Sequence, residues 1–67
     1  MDFPTFVKYA REKMSMSQED LARAINVSFA TINRWENAKN HPNNLALSVF
    51  LAYCEQNGIP AKDMLTK

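Results

Sequence analysis

The sequence predicts an all-α fold, and three observations carry that prediction. Apolar residues recur at helical spacing, as Phe3, Phe6, Val7, Ala10 and Met14 do at the start. No stretch alternates apolar and polar side chains in the manner of a strand. Capping and breaking residues divide the chain into short segments of helical length.

The first element spans about residues 3 to 14. Asp2 can cap it, and Pro4 is tolerated in a first turn. Ser15 and Met16 connect to "SQED", where Ser17 and Asp20 form a variant of the capping box. Leu21, Ala22, Ala24 and Ile25 give the apolar stripe of a second helix, about 18 to 25. Asn26 tolerates the left-handed backbone that ends a helix, and apolar Val27 plugs the corner. Ser28 caps a third helix, about 29 to 37. Two short helices joined by roughly three residues have the arithmetic of a helix-turn-helix. "AKNHPNN" reads as a loop, and Asn44 as the cap of a fourth helix from Leu45 to about Gln56. "NG" at 57 to 58 ends that helix, and Pro60 opens a last short one holding Met64 and Leu65.

With 67 residues the chain makes one domain, 1–67, and its core margin is thin. One cysteine excludes an internal disulfide, so stability rests on packing, and a reducing cytoplasmic setting is expected. The longest apolar run, Leu45 to Cys54, is too short to span a bilayer, and the N-terminus lacks the pattern of a signal peptide. Net charge is +1, so bulk charge does not announce a nucleic-acid partner. Its distribution says more: from Arg23 to Cys54, Arg23, Arg34 and Lys39 face a single acid, Glu36.

The third helix has two contrasting flanks. Wound at about 100° per residue, Ile32, Trp35 and Glu36 share one flank with Ser28, whereas Ala30, Asn33, Arg34 and Asn37 share the other. The first set looks inward. The second is small, amide-bearing or cationic.

In "SQEDLARAINVSFATINRWENAKNHP", residues 17 to 42, a Ser-Gln start, a Leu-Ala pair, a turn and an Ile-x-x-Trp-Glu third helix stand in fixed register. This segment resembles the helix-turn-helix domain of phage repressors and Cro proteins, the lambda repressor-like or XRE family. The wider pattern runs to "GIPAKDML". The resemblance implies a five-helix bundle whose helix-turn-helix, about 18–37, places its second helix in the major groove of duplex DNA. Three departures stand out: Asn26 and Ala38 occupy positions where the family favours glycine, and the fourth helix is about one turn longer.

The resemblance also implies roles. Gln18 and the backbone N–H groups beside it would hold a phosphate. Ser28, Asn37, Lys39, Asn40 and Asn43 would grip the DNA backbone near the reading helix. Phe29, Ala30, Asn33 and Arg34 would face the base edges. Arg34 suits the fork of guanine O6 and N7, Asn33 suits adenine, and Phe29 suits a thymine methyl or a sugar. Arg11 would pair with Glu36, because a carboxylate on the inward flank needs a partner.

The residues themselves give no catalytic constellation, no metal site and no cofactor motif. Trp35, Leu21, Ile25, Val27 and Ile32 read as core, with Trp35 locking helix three against helix two. "LALSVFLAYC" is apolar on nearly all sides, more than a monomer needs. Either Leu45, Val49 and Ala52 cover the core while Leu47, Phe50, Leu51 and Cys54 face elsewhere, or the reverse. Leu47, Phe50, Leu51, Tyr53 and Cys54 are the expected contact of a homodimer. Two functions follow: a sequence-specific DNA-binding regulator, most simply a repressor, or a protein-interaction module on the same scaffold.

Overall fold

The computed structural model describes residues 1–38 and 42–65. Those residues form five helices and no strand: α1 (Phe3–Lys13), α2 (Gln18–Ala24), α3 (Phe29–Glu36), α4 (Asn44–Gln56) and α5 (Ala61–Met64). This is the all-helical, five-helix architecture that the resemblance implies.

Side-chain caps fix the starts of α1 to α4. Asp2, Ser17, Ser28 and Asn43 each accept a bond from a backbone N–H three residues on, at 3.0, 3.0, 3.1 and 2.7 Å. These are donors that the first turn of a helix leaves unpaired. Asp20 completes the box by accepting from the Ser17 N–H, which holds its carboxyl below the ordinary carboxylate range. The cap of α4 is thus Asn43 and not Asn44, so α4 begins one residue earlier than its apolar pattern indicates.

One terminator recurs at the other ends. Ser15, Asn26 and Gly58 take positive φ, at 57°, 60° and 79°. After each comes an apolar residue whose N–H reaches back five positions: Met16 to Arg11, Val27 to Ala22 and Ile59 to Cys54, all at 2.9 Å. This is the Schellman pattern, with its apolar residue just past the turn. Ala38 takes the same conformation after α3, with φ 59°. Glycine is available at only one of these four sites, so a serine, an asparagine and an alanine carry the others.

α3 packs against both α1 and α2, and α5 against α4. The core joins Phe6, Val7 and Ala10 of α1, Leu21 and Ala22 of α2, Ile25, Ile32 and Trp35, and Phe50 and Cys54 of α4. Phe50 sits edge-on to Phe3, Phe6 and Trp35, with centroids 5.8 to 5.9 Å apart. Trp35 also meets Phe3 at 5.5 Å. Such edge contacts favour one mutual orientation of the rings. The indole therefore has its ring partners on α1 and α4, whereas the sequence pattern pointed to α2. Burial among these groups pushes the Cys54 thiol up to about 11, which keeps it protonated and unreactive.

A left-handed alanine is strained by about 1–2 kcal/mol. Ala38→Gly should therefore stabilise the fold by about 1 kcal/mol, raising the thermal midpoint by about 4–8 °C. A lowered midpoint in a calorimetric scan would contradict this account of the α3 terminus.

Candidate nucleic-acid interface

The site is built outward from one carboxylate. Glu36 ends α3 on its inward side, and its side chain is 2 % exposed. A charge there needs several donors, since an unpaired buried carboxylate is strongly unfavourable. Arg11 of α1 supplies two, Nε to Oε2 at 2.7 Å and Nη2 to Oε1 at 3.2 Å. Its remaining arm, Nη1, reaches the carbonyl of Met16 at 3.1 Å. The bond to Glu36 raises the already high pKa of Arg11. The third donor is Gln18, the first residue of α2, whose Nε2 lies 2.9 Å from Glu36 Oε1. One side chain thereby ties together the three helices that carry the site.

The opposite flank of α3 is open. Phe29, Ala30 and Arg34 are exposed, Phe29 to 53 %, and Asn33 is half-buried. Arg34 has no ion-pair partner among the described residues. Four residues on one side of a single helix thus offer a ring, a methyl, an amide and a free guanidinium. Asn33 Nδ2 donates to Gln18 Oε1 at 3.4 Å. Asn37 Nδ2 donates to the Asn33 carbonyl at 2.8 Å and to Asn33 Oδ1 at 3.2 Å.

A protein-family model described as helix-turn-helix, of the Cro/C1 type, matches residues 7–55, well over half of the chain. The chain belongs to the Cro/C1-type helix-turn-helix family. No curated protein and no solved structure matches it significantly. The family is one of DNA-binding domains, and in this chain its two central helices are α2 and α3.

Within this helix-turn-helix, several residues stand differently from expectation. Gln18 does not turn its side chain outward to a phosphate: its amide spans Glu36 and Asn33. Asn37 directs its amide NH₂ at the carbonyl and Oδ1 of Asn33, so the end left open is its Oδ1 acceptor, which does not suit an anion. Ser28 is exposed but acts as the α3 cap and shares a bond with Thr31 Oγ1 at 2.8 Å. Asn43 caps α4 through Oδ1, which leaves its amide hydrogens available. Lys39 and Asn40 lie outside the described residues.

The expected dimer surface needs a larger correction. Phe50 and Cys54 are completely buried in the core, while Leu47, Leu51 and Tyr53 are half-buried. The reverse face of α4 is the open one, with Leu45 77 % and Val49 41 % exposed. Beside them a shallow groove of about 380 Å³ runs past Ile25, Val27 and Ala46. The three-ring niche around Phe50 decided the orientation. Among the described residues no helix is long and apolar enough to cross a membrane.

The Gln18 bridge is what sequence reasoning missed. The signal for it was the inward Glu36 itself, since a buried carboxylate calls for more donors than one arginine, while the i, i+4 spacing of Asn33 and Asn37 signals only the contact between those two amides. The inward turn of Gln18 depends on a partner 18 residues away.

Arg11→Met would remove two of the three hydrogen bonds to the buried carboxylate, leaving only that from Gln18, and should cost about 3–5 kcal/mol. Glu36→Gln should cost less, because Arg11 is 19 % exposed and keeps its bond to Met16. Urea unfolding of both variants checks the order. Equal and small losses would show that the pair contributes little.

Proposed function

We propose that this protein is a sequence-specific duplex-DNA-binding transcriptional regulator, a repressor in its simplest mode of action, in which α3 enters the major groove. The single observation that supports this most strongly is the free Arg34 guanidinium, exposed beside Ala30, Asn33 and Phe29 on the outer face of α3. A repressor of this kind acts by occupying its site, which needs no cofactor and no catalytic group. A cytoplasmic setting follows from a DNA target.

In this reading Arg34 forks onto guanine O6 and N7, Asn33 meets adenine, and Phe29 and Ala30 pack against thymine methyls or sugars. Ser28, Asn43, Lys39 and Asn40 hold the phosphate backbone and set register without reading sequence. The whole chain, 1–67, serves as one DNA-binding unit. Binding as a dimer would set two half-sites about 34–36 Å apart.

A gel-shift series over several salt concentrations tests the division of labour. Arg34→Ala should relax preference at one base position, at a cost of about 1–3 kcal/mol on the preferred sequence. Lys39→Ala should weaken all sequences alike and reduce the slope of log affinity against log salt by about 1. Equal losses on every sequence for both variants would contradict the assignment of Arg34.

A second reading, contact with another polypeptide, is favoured by one observation: Leu45 and Val49 stand exposed beside the groove at Val27. The occupant that fits the two-fold symmetry of a DNA target is a second copy of this chain. Leu45→Glu should then lower self-association in sedimentation while leaving affinity for an isolated half-site unchanged. Unchanged self-association would remove this face from the dimer.

A further inference from the structure

We infer that Gln18 is a positioning residue for sequence recognition: it fixes which way round the Asn33 amide is presented to a base pair. This rests on the DNA-reading role of α3 given above.

An ionised carboxylate accepts hydrogen bonds and donates none. Glu36 Oε1 lies 2.9 Å from the Gln18 amide, so the Gln18 end that faces it is the NH₂. Turning that amide over would set a carbonyl oxygen against a buried carboxylate. The Gln18 carbonyl is therefore forced toward α3, where it accepts from Asn33 Nδ2 at 3.4 Å. The NH₂ end of Asn33 now points to Gln18, and its Oδ1 points to Asn37, which donates to it at 3.2 Å. Polarity passes from Arg11 through Glu36, Gln18 and Asn33 to Asn37, and every member has its donor and acceptor ends assigned.

The inventory of Asn33 shows the consequence. Of its two N–H groups one is used, and of its two Oδ1 lone pairs one is used. One donor and one acceptor remain, in a set order along α3. Adenine offers N7 as acceptor and N6–H as donor, the complement of that pair. Reversing the base pair, from A·T to T·A, reverses the order in which the groove presents these groups. A freely turning asparagine could accommodate either order, whereas an asparagine held at both ends matches one. Gln18 thus confers strand discrimination at a base pair without touching a base.

The test is selection of bound duplexes from a random pool, run with the wild-type chain and with Asn33→Ala, Arg34→Ala, Gln18→Met and Gln18→Ala. Asn33→Ala identifies the base pair read by that amide. Both Gln18 variants should reduce the A·T over T·A preference at that pair by about tenfold, within the range of one bidentate contact. The preference identified by Arg34→Ala should stay as in the wild type, which a general structural loss would not leave intact. Combining Gln18→Met with Asn33→Ala should add no further loss at that pair. Thermal melts accompany each variant, and the alanine variant is read in parallel so that the result does not hang on methionine being tolerated. An unchanged preference at the Asn33 pair, or a uniform weakening on all sequences, overturns the inference alone. A wild-type chain that enriches no sequence overturns the DNA reading and this inference with it.

Discussion

The buried carboxylate of Glu36 is the constraint on which the rest of the site depends. Hydration cannot satisfy it, so α1 and α2 must each send a donor to it, Arg11 from one and Gln18 from the other. An apolar residue there would fill the same space without asking for any partner. The carboxylate asks for two, and their reach specifies how α3 sits against α1 and α2. The ion pair works mainly through this specification, since desolvation offsets much of its attraction.

The aromatic cluster holds the same arrangement from the other side. Phe3, Phe6, Trp35 and Phe50 meet edge to face, so the inner flank of α3 is anchored by ring contacts to α1 and α4. A chain of this size has little core to spare. It gains stability from four side-chain N-caps and from terminators that satisfy the last carbonyls of its helices. Those devices make the helices short and their ends abrupt. The outcome is that α3 is fixed on its inner flank, while its outer flank carries no structural duty beyond the amide chain. Phe29, Ala30 and Arg34 are free for a partner because Ile32, Trp35 and Glu36 do the packing.

The parts of this fold legible in the sequence were those set by local chemistry. Ser17 and Ser28 announce helix starts because a hydroxyl before an apolar stripe has few other uses. Asn26 announces a left-handed corner because few side chains tolerate one. Ser15 carries no such signal, and its positive φ follows from Met16 and Arg11 closing the Schellman turn around it. The inward setting of Glu36 could be read from helical periodicity. The orientation of α4 could not, because a helix apolar on nearly all sides gives a wheel with no preferred face. Tertiary fit chose, and it chose Phe50 for the centre. Gln18 was ambiguous for a related reason: an amide at a helix start suits a phosphate and a buried carboxylate equally well, and only the placement of α3 decides between them.

In the proposed function the outer face of α3 is the surface that meets duplex DNA. Backbone amide shifts of the ¹⁵N-labelled chain, followed as a duplex carrying a single half-site is added, are the deciding measurement. The largest changes should fall at Phe29, Ala30, Asn33 and Arg34, with smaller ones at the capping residues Ser28 and Asn43 and little change at Leu45 and Val49. Changes centred on Leu45 and Val49, with α3 undisturbed, would contradict it.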